Sequence, residues 1–138
     1  MAAILTRSVR RIESAASAKH IDRLSFNKMG GDGTGKANIV SDQDAEVWGV
    51  AYLCSPEALD ELDQAEGVPD HYVRRSVNVA LDNGDFLNAI AYVANPNKLA
   101  EGLKPSPEYL QYVLRGIRYH QLPESQFALV EELGRRTL

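Results

Sequence analysis

The stretch Glu46-Val47-Trp48-Gly49-Val50-Ala51-Tyr52-Leu53-Cys54, running straight into Ser55-Pro56-Glu57-Ala58-Leu59-Asp60-Glu61-Leu62-Asp63-Gln64-Ala65-Glu66-Gly67, decides how this chain folds. Its first half reads as a strand. Val47, Gly49, Ala51 and Leu53 line one face, and Trp48, Val50, Tyr52 and Cys54 the other. Both faces are largely apolar, so the strand is predicted to be central and buried. Gly49 in its middle predicts a close backbone approach or a bend at a barrel corner. The second half reads as a helix, with Ser55 as N-cap, Pro56 in the first turn and Gly67 as a left-handed stop. Ala58, Leu59, Leu62 and Ala65 recur at helical spacing, and Glu66, four residues after Leu62, falls on the same face. A carboxylate there faces the core at the helix end where the backbone dipole disfavours negative charge, and both effects raise its pKa. That is what a general acid/base working near neutrality needs. The same position also suits a rim carboxylate turned to solvent, or a buried partner for an arginine.

The whole chain has 138 residues, 44% of them hydrophobic and 25% charged, which predicts one globular domain over residues 1–138. A net charge of -4 gives no general attraction to nucleic acid or to an anionic membrane, and neither is expected as a partner. Cys54 is the only cysteine, so no intrachain disulfide forms and a cytoplasmic location is expected. It has no charged neighbour in sequence and reads as a small buried hydrophobe. No apolar run approaches membrane-spanning length.

Upstream of the opening stretch, Leu5, Val9 and Ile12 predict a short amphipathic helix over residues 3–14, followed by a small-residue connection over 14–18 and a strand over 20–28. Gly30, then four residues, then Gly35-Lys36 approaches a phosphate-cradling loop. Ala37 replaces the hydroxyl residue that would hold magnesium, and Ala37-Asn38-Ile39-Val40 reads as strand, so a hairpin loop is expected instead. Downstream, residues 72–81 alternate apolar and polar, Asp82-Asn83-Gly84-Asp85 is a strong hairpin signal, and residues 86–94 return. Pro105-Ser106-Pro107 turns the chain into a helix over about 108–119, and Pro123 opens a last helix to 136. Helices at the ends with a hairpin between them argue for an α+β fold, and the buried strand with its corner glycine favours a small mixed β-barrel with flanking helices.

Four segments, Glu46-Val47-Trp48-Gly49-Val50, Leu62-Asp63-Gln64-Ala65-Glu66-Gly67-Val68 with Tyr72, Ala91-Tyr92, and Pro105-Ser106-Pro107-Glu108-Tyr109, together resemble the γ-glutamylcyclotransferase family in order and spacing. Leu24-Ser25-Phe26-Asn27-Lys28 with Gly35-Lys36-Ala37-Asn38-Ile39 also resembles its bacterial and plant members. The resemblance implies a compact barrel with a cavity near its mouth, and conversion of a small γ-glutamyl amine or amino acid to 5-oxoproline with release of the amine. It implies Glu66 as the catalytic base and acid, Tyr72 and Tyr109 as substrate-binding residues, and neither cofactor nor metal. One departure stands out. The family opens on a strand ending in Tyr-Gly-Ser-Asn, whose backbone amides bind the γ-glutamyl group, and this sequence contains no such motif. Two readings stay open: an enzyme whose first strand lies upstream of Met1, or a non-catalytic binding or interaction protein on the same fold. A sheet short of that strand has unpaired edges, so either a homodimer or strand exchange across the gap, or marginal stability, is expected.

Overall fold

In the computed structural model, residues 4–5, 13–19, 22–52, 54–81 and 84–136 are described. In chain order their elements are β1 (Ile4–Leu5), β2 (Glu13–Lys19), β3 (Asp22–Met29), β4 (Gly35–Ser41), β5 (Glu46–Tyr52), α1 (Pro56–Ala65), β6 (Tyr72–Leu81), β7 (Phe86–Ala94), α2 (Pro107–Tyr119) and α3 (Glu124–Arg135). The fold is α+β. Five strands form one antiparallel sheet in the order β1-β7-β6-β2-β5, and β3 and β4 form a second, two-stranded sheet. The strands wrap round a shared core. The β3–β4 hairpin lies between β5 and β7, and β1 comes back beside β5, the far end of the larger sheet.

The β6–β7 hairpin forms where the alternation and the turn residues place it. Tyr72 faces Ala94 and Ala80 faces Phe86 across an unbroken register. At the turn, Leu81 N–H donates to Asp85 O at 2.7 Å, and Gly84 supplies the left-handed backbone with φ 91°. Val77, Val79, Ala89 and Ala91 bury the inner face, and Tyr92 is buried on the opposite face. On α2, Val113, Leu114 and Ile117 are buried at helical spacing, and Val130 of α3 is fully enclosed.

Side chains join β4 to its neighbours where no backbone ladder does. Asn38 Oδ1 accepts from Ala94 N of β7 at 2.8 Å, and Asn38 Nδ2 donates to Asn27 Oδ1 at 3.0 Å. Gly35 N donates to Lys104 O at 2.7 Å. An edge strand's outward polar groups must be paired when buried, and the Gly35 amide is paired in this way.

Two local expectations differ from the structure. Residues 4–5 and 13–19 are strands, so the ends of the expected N-terminal helix and the whole of the expected connection are extended; residues 6–12 lie outside the described residues. Helical spacing of three apolar residues is a weak local signal, and the open edge of β7 and the gap between β5 and β6 offer ladder partners that outweigh it. Strand β5 is covered as expected, but it ends the ladder rather than occupying its centre. Beyond β2 its outward backbone is met by a side chain: Trp48 N donates to the buried Gln126 Oε1 of α3 at 3.2 Å. The indole Nε1 of Trp48 donates in turn to Glu46 Oε1 at 2.6 Å.

Candidate active site

Helix α1 delivers Glu66. Ser55 Oγ accepts from Ala58 N at 3.1 Å and Pro56 occupies the first turn, so the start is fixed by the capping chemistry read from the sequence. At the other end Glu66 is the C-cap, its N–H donating to Leu62 O at 2.8 Å, and Gly67 turns the chain with φ 66°. Leu59 and Leu62 pack on a cluster built from Tyr72 and Tyr92. Burial pushes the Glu66 carboxyl above its ordinary value of 4.5, and the Lys28 ammonium opposes that shift. Among the described residues no donor hydrogen-bonds this carboxylate, which leaves desolvation in control.

Tyr72 and Tyr109 meet at one residue. Tyr72 Oη donates to Ala37 O at 2.8 Å, while Ala37 N donates to Tyr109 Oη at 3.0 Å. The two phenols, from β6 and α2, thus clamp the backbone of β4 from the side away from β3. Ala37 has no exposed surface, and its methyl leaves room for both rings. Burial raises the pKa of both hydroxyls. The negative charge of Glu66 adds to each rise, which puts all three side chains in one electrostatic neighbourhood. Both phenols therefore stay protonated at neutral pH.

Two lysines lie against these tyrosines. Lys28 is 4% exposed, its Nζ lying 2.8 Å from His71 Nδ1 and 5.1 Å from the Tyr72 ring centroid. Lys36 Nζ lies 4.6 Å from the Tyr109 ring centroid and 3.4 Å from Asp32 Oδ2. Cation–π contacts of this kind are favourable by about 0.5–2 kcal/mol.

The structure therefore brings together all three residues singled out in the sequence, Glu66, Tyr72 and Tyr109. Lys28, His71 and the clamped Ala37 are not singled out by the sequence, and Lys36 enters only as part of a loop that approaches a phosphate cradle. A signal for Lys28 was present: Asp22, Leu24, Phe26 and Lys28 alternate onto one buried face of β3. Cys54 is half-buried, and among the described residues no set of His, Cys, Asp and Glu is grouped as metal ligands. No described helix is long and apolar enough to cross a membrane. A carboxyl of raised pKa, two protonated phenols and two ammonium groups in one electrostatic neighbourhood have the chemistry to hold a polar anionic molecule and to move protons on it.

A human γ-glutamylcyclotransferase is 32% identical to this chain over 90 residues, which take in 64% of the chain and 46% of that protein's length. The chain thus matches less than half of this curated relative. A solved γ-glutamyl cyclotransferase superposes with a TM-score of 0.78 at 24% identity, over 91% of this chain and 76% of the other. A second solved structure, of a human protein described as uncharacterized, gives a TM-score of 0.78 at 25% identity with the same coverage. The fold is theirs. The sequence pattern of the AIG2-like family matches residues 46–128. That span includes Glu66, Tyr72 and Tyr109 and more than half of the sequence, and the chain belongs to the AIG2-like family.

Proposed function

We propose that this protein cyclises a γ-glutamyl compound to 5-oxoproline and releases the amine, with Glu66 as the proton carrier. The observation that carries the reading is the half-buried Glu66 carboxyl of raised pKa, held at a helix end beside two phenols that share one backbone residue. Glu66 takes a proton from the substrate's α-amino group, and the freed nitrogen attacks the γ-carbonyl carbon. A carbon–nitrogen bond forms within the five-membered ring, the bond to the leaving amine breaks, and Glu66 returns the proton to that amine. A base that must become an acid within one turnover works best with a pKa near the working pH, and burial moves Glu66 that way. Proton transfer of this kind contributes roughly 10²–10⁴-fold, and the intramolecular attack supplies much of the remainder. Tyr72 and Tyr109 wall the substrate. The Tyr72 oxygen, its proton given to Ala37, can still accept from the substrate's ammonium or amide N–H. The resemblance of the four sequence segments to the γ-glutamylcyclotransferase family, and the 32% identity to its human member, support the reaction class.

The test is release of 5-oxoproline from γ-glutamyl-alanine by the purified chain and by Glu66→Gln. Turnover by the first and its loss in the second, with an unchanged circular dichroism spectrum, supports the reading. A Glu66→Gln variant that still turns over removes it.

A further inference from the structure

The glycine-rich loop that resembled a phosphate cradle has no helix behind it, since Gly35 opens strand β4. It holds a lysine all the same. Asp32 Oδ1 accepts from Thr34 N at 3.0 Å and from Thr34 Oγ1 at 2.7 Å, which fixes the carboxylate at the loop tip. These two donors, with Lys36 behind them, hold the Asp32 pKa at about 2. The other oxygen steers Lys36 Nζ from 3.4 Å, too long for a tight pair. Gly30 leaves room for the lysine stem: a Cβ there would stand 2.6 Å from Lys36 Cε, and the end of the lysine would have to shift.

Lys36 is the direct cross-strand partner of Lys28. Like charges in that position repel, and on one face of an antiparallel pair their Cβ atoms are about 4.5–5.5 Å apart. Lys28 is buried, and its hydrogen-bond partner is a histidine, not a carboxylate. Burial, then the charges of Lys98 and Lys36, push its pKa below 10.5, and the Glu66 charge opposes them. The local charge is thus an excess of ammonium groups, stacked on the two tyrosines near Glu66.

We propose that Lys28 and Lys36 form a subsite for a carboxylate of the substrate, and that the loop over residues 30–35 serves to set Lys36 in it. An anion between the two ammonium groups removes their mutual repulsion and makes charge-assisted hydrogen bonds to both. A carboxylate, carrying one charge, suits a position near the Glu66 charge better than a phosphate does. The proposal rests on the reading of Glu66 only for where the bound molecule reacts.

In a γ-glutamyl amino acid that carboxylate comes from the α-carbon of the glutamyl group or from the leaving amino acid. Calorimetric titration distinguishes them, using γ-glutamyl-alanine with both carboxylates, γ-glutamyl-ethylamide with the first only, and 4-aminobutanoyl-alanine with the second only. The titrated proteins carry Glu66→Gln, so that nothing turns over, alone or combined with Lys36→Met, Lys28→Met or Lys36→Arg. Lys36→Met and Lys28→Met are expected to weaken γ-glutamyl-alanine roughly tenfold or more, the size of one lost charge-assisted hydrogen bond. Lys36→Arg, which keeps the charge, is expected to restore most of the affinity. Loss on γ-glutamyl-ethylamide assigns the glutamyl carboxylate, and loss confined to the two alanine compounds assigns the leaving group. Equal affinity for all proteins, or no binding of any compound before lysine substitution, overturns the subsite. Lysine-dependent binding by a chain that releases no 5-oxoproline keeps the subsite and removes the enzyme reading.

Discussion

Helix α1 carries two carboxylates three residues apart, Asp63 and Glu66, whose chemistry is opposite. Asp63 is fastened. Arg74 Nε and Nη2 donate to its two oxygens at 2.9 and 2.7 Å, and Tyr92 Oη donates to Oδ1 at 2.6 Å. The Arg74 hydrogen bonds first, then Tyr92, hold its pKa below the ordinary 3.8. Glu66 has a tyrosine and a cation nearby as well, but Tyr72 gives its proton to Ala37, and Lys28 acts on Glu66 through space. Donors that touch a carboxylate hold its charge; donors turned elsewhere leave burial to decide. The same helix therefore has a permanent anion that anchors it to β6 and β7 and a carboxyl able to exchange its proton.

The strongest test of that contrast is turnover. Glu66→Gln is expected to reduce 5-oxoproline release by roughly a hundredfold or more, while Asp63→Asn retains the rate per folded molecule; equal losses would erase the distinction. Next come the phenols that look away from Glu66. Tyr109→Phe leaves the buried Ala37 N–H without an acceptor and Tyr72→Phe leaves its carbonyl without a donor, each expected to lower stability by about 1–3 kcal/mol in urea denaturation. A smaller loss, about 1–2 kcal/mol because Asp63 and Arg74 are partly exposed, is expected for Asp63→Asn at neutral pH.

Acid sharpens the comparison, because the two carboxylates respond with opposite sign. A depressed folded-state pKa gives stability that is present above the unfolded value of 3.8 and lost as pH falls through the folded value, so the penalty of Asp63→Asn should fade below 3.8. A raised folded-state pKa does the reverse. Wild type loses stability as pH rises from 4.5 through the folded value of Glu66, so Glu66→Gln should melt higher than wild type at neutral pH and lose that advantage towards 4.5. The smallest change expected is in the pH–rate profile of Lys28→Met. Without the ammonium the Glu66 pKa climbs further, and the acid limb of 5-oxoproline release moves to higher pH. A limb that stays in place would show that Lys28 does not act on Glu66.

Much of this was legible in the sequence because it was local. Ser55, Pro56 and Gly67 set the limits of α1 by capping chemistry, and that register alone puts Glu66 at the helix end. The alternation through Tyr72–Leu81 and Phe86–Ala94 likewise fixed a hairpin whose partners are adjacent in the chain. What depended on distant partners was not legible. The clamp on Ala37 joins residues 35 and 72 positions away, and helical spacing near the N-terminus could not reveal that β7 would offer Ile4 and Leu5 a ladder. Lys28 lies between these cases. Its alternation with Leu24 and Phe26 was visible, but its cross-strand partner depended on a register shift between Ser25 and Lys28.

The Trp48 contacts have a practical consequence. It is the only tryptophan, and its two nitrogens are tied within β5 and to Gln126 of α3. Its fluorescence is thus a built-in gauge of whether the C-terminal helix is seated on the sheet. A shift of emission to the red during gentle heating or dilute denaturant would report α3 lifting from β5, and would time that event against loss of far-ultraviolet circular dichroism without any added dye.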